Sequence, residues 1–237
     1  MKITAFMLLL MMIPLSTIQA ANKILFVGNS FTARNNLPNM VKKIAKSNDV
    51  NMDVYKNLSP GASWMDFSHD YNTLRTLKSK DWHAIVFQEQ SFFLARTRSK
   101  YLVTSLPPLR VLDNNSITRK TVLFQTWGYL NGDTSPLYNG NYTDMQDRLI
   151  DGYNDAADYI SLNNRTRIAR VGEVWKTVFH NRLYSDTQHP SIEGSYLASC
   201  VLFRTIANNR TVKLNSWKPS LVPRFMRKRL LTACNSM

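Results

Sequence analysis

Short apolar runs alternate with amphipathic segments along most of this 237-residue chain, and this alternation constrains the fold more than any other feature. Runs of this length and composition are typical of buried parallel strands. Strands are expected at residues 23–27, 51–58, 83–87, 121–125 and 168–171. Apolar residues at helical spacing predict helices at 37–47, 71–80, 99–106, 143–162, 174–180 and 192–207. The order of these elements predicts a doubly wound α/β sheet in one domain.

The N-terminus has the pattern of a secretory signal peptide. Lys2 precedes an apolar run, Ile3 to Leu15, and small residues follow up to Ala20. The run is shorter than the ~20 apolar residues that span a bilayer. We therefore expect cleavage after Ala20 and a secreted or periplasmic protein, with a retained anchor as the alternative.

The chain then divides into a signal peptide at 1–20, a main domain at 21–209 and a basic extension at 210–237. An oxidising compartment permits a disulfide between Cys200 and Cys234. One buried thiol and one thiol in a frayed tail is the other interpretation.

Positive charge is the most visible compositional feature, with 30 Lys and Arg against 16 Asp and Glu, a formal net charge of +14. The apolar content, 44%, excludes a disordered chain.

Seven basic residues and no acidic residue lie within 210–237. The segment from Pro223 to Ala233 has three interpretations: a basic amphipathic segment on an anionic surface or polymer, a partner for acidic helix residues 144–158, or a solvated tail. Asp144, Asp147, Asp151 and Asp158 are expected to form a solvated charged face rather than a cation site.

The loop after the first strand contains a candidate nucleophile. In parallel sheets of this kind, chemistry takes place beyond the carboxyl ends of the strands. Gly28, Asn29 and Ser30 follow the first strand directly, so the Ser30 hydroxyl is expected at the mouth of the sheet. Taken alone, the pattern also fits a serine that caps a helix.

A candidate base lies just before the last predicted helix. Asp186 precedes His189 by three residues, so its carboxylate can accept the ring N–H and leave the other nitrogen as a base. The alternative is a capped helix start with Pro190 in the first turn. Both arrangements are compatible.

Taken together, these motifs resemble those of the SGNH (GDSL-like) hydrolases, in the same order along the chain. The resemblance implies a flavodoxin-like three-layer sandwich with a central, mostly parallel five-stranded sheet. It implies that Ser30, His189 and Asp186 form a catalytic triad. It also places Gly61 in the second block, where its N–H would join that of Ser30 in an oxyanion hole.

Two departures from the family pattern stand out. The first block usually has aspartate where Asn29 stands. The third block, usually Gly-x-Asn-Asp, is here Gln-Glu-Gln-Ser at residues 88–91. Gln90 is the expected replacement for the asparagine that donates to the oxyanion, Gln88 is the competing candidate, and Glu89 is interpreted as a brace for the loop.

The implied function is a secreted serine hydrolase that cleaves short acyl or acetyl esters, with carbohydrate esters one option. Trp64, Phe92, Trp127 and Arg34 are the expected substrate contacts. No cofactor or metal ion is expected, nucleic acid is not an expected partner, and a monomer is expected. The alternatives are a lipase or thioesterase with the same triad, and a basic, non-catalytic binding protein on the same scaffold.

Overall fold

A computed structural model describes residues 20–133, 140–161, 165–178 and 180–237. The expected signal peptide therefore lies almost entirely outside the described residues. A five-stranded, all-parallel sheet runs through the centre in the order β2-β1-β3-β4-β5. Its strands are β1 (Asn22–Gly28), β2 (Met52–Leu58), β3 (Ala84–Phe87), β4 (Thr121–Gln125) and β5 (Thr166–Arg170). The predicted sheet is confirmed, and it is parallel throughout.

Helices connect the strands and cover both faces of the sheet. They are α1 (Ser30–Ala33), α2 (Leu37–Ser47), α3 (Trp64–His69), α4 (Tyr71–Lys78), α5 (Arg98–Thr104), α6 (Leu106–Asn114), α7 (Tyr142–Ile160), α8 (Val171–Lys176), α9 (Ile192–Ile206) and α10 (Arg224–Asn235). Short 3-10 turns lie at Arg34–Asn36, Phe93–Ala95 and His180–Leu183.

Two of these helices differ from the sequence-based expectation. We expected Pro107 and Pro108 to end a helix, but α6 begins there with proline in its first turn. Proline is tolerated at that place because the first N–H groups of a helix have no intrahelical acceptor. The segment after β2, for which no helix is expected, runs directly into α3, which Ser63 and Asp66 start with reciprocal capping hydrogen bonds.

Alternating side chains of the strands supply two cores, one on each face. In β1, Ile24 and Phe26 face the core formed with α2 and α9, whereas Leu25 and Val27 face the core formed with α3, α6 and α7. Each of these four side chains is at most 1% exposed. A strand buried on both faces needs the continuous apolar run that the sequence shows there.

The strand order reverses next to β1, and this reversal positions the candidate site. The chain passes from β1 to β2 on one side and then crosses to β3 on the other. The loops that follow β1 and β3 therefore diverge and leave a crevice at the carboxyl edge of the sheet.

The C-terminal segment is part of the same core. From α10, Met226, Leu230 and Leu231 are buried in the cluster that covers one face of the sheet, and a disulfide joins Cys234 to Cys200 in α9. The expectations of a solvated tail and of packing on residues 144–158 are wrong, because α10 packs against α9. In the described part of the chain, no helix is both long and apolar enough to span a membrane.

Candidate active site

Ser30 is the first residue of α1, immediately beyond the carboxyl end of β1. Gln88 packs closely against the backbone at Gly28, where a Cβ atom would lie only 2.7 Å from the Gln88 Oε1 atom. Only glycine fits there without a shift of the neighbouring side chain. Asn29 caps α1, and its Oδ1 atom accepts the N–H of Phe31 at 3.1 Å. The Ser30 N–H itself donates to no other described residue. Serine hydroxyl and free N–H are thus presented together.

Asn29 also joins the loop after β1 to the loop after β2. Its side-chain amide donates to the Ala62 carbonyl oxygen at 3.0 Å, and the residue is 3% exposed. An aspartate could accept the Phe31 N–H but could not donate to Ala62. The departure from the family pattern therefore has a structural consequence.

Gly61 lies in the turn that leads from β2 into α3. Its φ of +71° falls in the left-handed region that glycine adopts without strain. A Cβ atom there would meet nothing within 4 Å, so the backbone conformation rather than crowding favours glycine. Like that of Ser30, its N–H donates to no other described residue.

His189 and Asp186 meet Ser30 from the loop before α9. The His189 Nε2 atom is 3.0 Å from the Ser30 Oγ atom, and its Nδ1 atom is 2.9 Å from Asp186 Oδ2. The other carboxylate oxygen of Asp186 accepts the backbone N–H groups of Gln188 and His189, each at 2.7 Å. Partial burial would raise the pKa of Asp186, but these N–H groups and the His189 ring lower it below its usual value. The carboxylate is therefore ionised at neutral pH.

A stack of aromatic rings supports His189 from behind. The Trp127 ring stacks between Phe31, at 5.0 Å between centroids, and Trp175, at 4.0 Å. Phe31 in turn meets the His189 ring edge-on at 5.5 Å. The Trp127 Nε1–H donates to the Gln188 carbonyl oxygen at 3.0 Å. Trp127 thus fixes the loop that holds the histidine.

Burial corrects two of the expected substrate contacts. Trp64 and Trp127 are both 0% exposed, so their rings are core residues and cannot stack on a ligand at the surface. Phe92 is partly exposed beside the site and packs edge-on against Phe93. Arg34 is exposed in the 3-10 turn that follows α1.

The two candidate glutamines have different surroundings. Gln88 is 0% exposed; its Oε1 atom accepts from the Asn29 N–H and the Thr32 hydroxyl, and its amide nitrogen donates to the Glu89 carbonyl oxygen. Gln90 is partly exposed, and its Oε1 atom accepts the Phe92 N–H at 3.1 Å. Its amide nitrogen donates to no other described residue. Only Gln90 has an amide donor to offer to a ligand.

Glu89, which the sequence predicts to brace the loop, is a buried acid. It is 1% exposed, and its Oε1 atom accepts the backbone N–H groups of Trp64 at 2.8 Å and Gln90 at 2.7 Å. Burial raises its pKa to about 7, against the opposing effect of those two N–H groups.

The described residues contain no group of three or more His, Cys, Asp or Glu side chains that could hold a metal ion.

Comparison with known proteins yields only structural matches. No protein-family model and no curated protein matches the chain. A DUF4886 family protein from Bacteroides uniformis is 19% identical, with a TM-score of 0.76 over 92% of this chain and 94% of that one. A candidate SGNH hydrolase from Slackia heliotrinireducens is 25% identical, with a TM-score of 0.65 over 79% and 100%. A lipase/acylhydrolase from Enterococcus faecalis is 16% identical, with a TM-score of 0.58 over 81% and 98%.

Proposed function

From the premise that the chain has the fold of the SGNH (GDSL-like) hydrolases, we propose that it is a secreted serine hydrolase that cleaves short-chain carboxylic esters. The observation that carries the proposal is the hydrogen-bonded series Ser30 Oγ, His189 Nε2, His189 Nδ1 and Asp186 Oδ2, with links of 3.0 and 2.9 Å. Nucleophile, base and orienting carboxylate are within the reach that acyl transfer requires.

The reaction would proceed through an acyl-enzyme. His189 Nε2 takes the Ser30 proton as Oγ attacks the ester carbonyl carbon, and a tetrahedral oxyanion forms. The bond to the alcohol oxygen breaks, and His189 returns the proton to the leaving alcohol. Water, deprotonated by His189, then attacks the acyl-Ser30 ester, and the acid and free serine are released. Asp186 holds the ring tautomer throughout and offsets the positive charge of the imidazolium.

Three donors would stabilise the oxyanion. The N–H groups of Ser30 and Gly61 have no other acceptor in the described residues, and the Gln90 side-chain amide has a free donor. The engaged, buried amide of Gln88 favours Gln90 over Gln88 for this role. Such donors act on charge that develops only in the transition state, so each affects kcat more than KM.

The proposed substrates are esters with short acyl chains. The sequence contains no long hydrophobic segment that could serve as a lid over a lipid chain. Carbohydrate esters are less favoured, because the burial of Trp64 and Trp127 removes two aromatic rings that could have stacked on a sugar. Phe92 is then the expected aromatic contact that stays at the surface.

Secretion is part of the proposal and has two supports. The first twenty residues have the order of a signal peptide, and Cys200 and Cys234 form a disulfide, which persists in oxidising compartments.

Reaction with a fluorophosphonate tests the proposal directly. The wild-type protein should be labelled on Ser30, Ser30→Ala should not be labelled, and p-nitrophenyl acetate should be hydrolysed faster than the longer-chain esters. Ser47→Ala, which removes a hydroxyl far along α2, is the matched control and should be labelled normally. Absence of labelling in folded wild-type protein would overturn the proposal and favour the non-catalytic binding protein. Faster hydrolysis of long-chain esters would favour the lipase alternative.

A further inference from the structure

Glu89 forms no hydrogen bond with Ser30 or His189, and the proposed reaction does not use it. Yet it is the acid most deeply enclosed near the site, at 1% exposed. A buried carboxyl group is costly unless its environment compensates it, so its presence here calls for an explanation.

One oxygen of Glu89 connects two strand-ending loops. Its Oε1 atom accepts the N–H of Trp64, 25 residues earlier in the chain, at 2.8 Å. The same oxygen accepts the N–H of Gln90 at 2.7 Å. Trp64 follows Gly61 by three residues, so the two bonds join the turn that contains Gly61 to the residue that carries the free amide.

These are the loops that present two of the three proposed oxyanion donors. Asn29 already joins the Ser30 loop to the Gly61 loop through the Ala62 carbonyl. We propose that Glu89 is a positioning residue that joins the Gly61 and Gln90 loops, and that its ionised form sets the spacing of the oxyanion donors. This inference rests on the proposed esterase function.

Ionisation matters because a carboxylate is a stronger acceptor than a neutral carboxyl group, and here one oxygen serves two donors. The second oxygen, Oε2, is buried near the Ser105 hydroxyl, and the interaction with this hydroxyl favours the charged form of the acid. Only the charged state strengthens both bonds to the loops.

The groups that face Glu89 place its ionisation in the neutral range. Burial raises its pKa to about 7, the Trp64 and Gln90 N–H groups and the Ser105 hydroxyl oppose that rise, and the negative charge of Asp66 adds to it. Tyr153 also interacts with Glu89; burial raises the pKa of its own hydroxyl, so it stays neutral. The connection between the loops is thus expected to strengthen as the pH rises through 7.

Glu89→Gln tests the inference because it keeps the shape and the Oε1 acceptor but cannot ionise. The measurement is the ratio of wild-type kcat to Glu89→Gln kcat for p-nitrophenyl acetate, determined at each pH from 5 to 9. Ionisation of His189 is common to both proteins and cancels in the ratio. We expect a ratio near one at pH 5 that rises to roughly ten at pH 9, with KM little changed, since donors to an oxyanion act in the transition state.

A second pair of variants keeps the test decisive if Glu89→Gln folds poorly. Asp66→Asn removes the facing charge, so the Glu89 ionisation visible in the pH profile of kcat should move to lower pH. Asp70→Asn changes a similar capping aspartate that does not face Glu89, and its profile should match that of the wild type.

The outcomes separate this inference from the proposed function. Wild-type protein that reacts with fluorophosphonate, together with a ratio independent of pH, would overturn the role of Glu89 alone. An unshifted profile for Asp66→Asn would do the same. Wild-type protein that fails to react would overturn the esterase function, and this inference with it.

Discussion

The Asn29 side-chain amide donates to the Ala62 carbonyl oxygen at 3.0 Å, while its carbonyl oxygen accepts the Phe31 N–H. One buried side chain therefore uses both halves of its amide, one to begin the helix that carries Ser30 and the other to hold the turn that contains Gly61. The relative position of two proposed oxyanion donors depends on this residue.

Replacing Asn29 by aspartate should lower both stability and turnover. The carboxylate would keep the Phe31 bond but would face the Ala62 carbonyl with no proton to donate, which typically costs about 1–3 kcal/mol. We expect a lower midpoint of thermal unfolding and a reduced kcat. Asn215→Asp, at an exposed position, is the matched control. Wild-type stability and kcat in Asn29→Asp would show that the amide donor is dispensable.

Replacing Asp186 by asparagine should impair turnover without unfolding the protein. Asp186 is half exposed, with 47% of its side chain accessible, so few packing contacts depend on its charge. Loss of the carboxylate disturbs the His189 tautomer, and an effect on the order of 10²–10⁴ in kcat is expected. Steady-state kinetics and circular dichroism measure the two effects. Full activity would argue against the orienting role.

The burial of Glu89 predicts a stability that depends on pH. Its folded-state pKa, about 7, lies above the ordinary value of 4.5. The folded state therefore binds the proton more tightly than the unfolded state. This proton binding adds to the free energy of unfolding below pH 4.5, and the contribution is lost as the pH rises towards 7. Glu89→Gln cannot ionise and lacks this loss. The difference in free energy of unfolding between the variant and the wild type should therefore shift in favour of the variant by up to about 3 kcal/mol between pH 4 and pH 8. Urea unfolding of both proteins at the two pH values tests this; a constant difference would contradict it.

Replacing Trp127 by phenylalanine should reduce kcat rather than raise KM. The indole donates to the Gln188 carbonyl and stacks behind Phe31, so its loss loosens the loop that holds His189. Some stability should be lost as well, since a buried ring becomes smaller. An increase in KM alone would instead indicate that the Trp127 ring contacts the substrate, as the sequence had suggested.

Charge reversal at Arg224 and Lys228 tests whether the basic C-terminal segment binds anionic surfaces. Both side chains are exposed on α10, whose opposite face is buried and linked to α9 by the disulfide. Deleting the segment would expose this core, so substitution to glutamate is the cleaner experiment. We expect weaker binding to phosphatidylglycerol vesicles and unchanged ester hydrolysis.

The matched control for that experiment is glutamate at Arg75 and Lys78, two exposed basic residues of α4. An equal loss of binding in the control would show that overall charge, rather than the C-terminal segment, determines binding.

The fold and the proposed triad followed from local patterns in the sequence. The apolar run of β1 and the three-residue spacing of Asp186 and His189 each act over a short stretch of chain, which sequence inspection can capture. Burial of Trp64 and Trp127 depends on contacts with distant residues, so rings near the strand ends were mistaken for surface contacts. Glu89 was interpreted as a brace, but its partner Trp64, 25 residues away, was not visible in the sequence.

The α3 and α6 helices are a different case, because local signals for them existed. Ser63 and Asp66 have the spacing of a capping box, and the prolines at 107 and 108 suit a first turn as well as they suit a break. Pro107 and Pro108 begin α6 rather than end α5, because a helix tolerates proline in its first turn.

The helix that follows His189 has a consequence for how activity is lost on heating. α9 begins two residues after Pro190, at the end of the loop that contains His189. Most of its length is buried between the sheet, α2 and α10. A segment enclosed in this way opens only when the whole domain opens, unlike a loop that frays by itself. The α9 end of the His189 loop should therefore stay anchored until global unfolding, and heat inactivation at a lower temperature than unfolding would place the loss of activity in the loop itself.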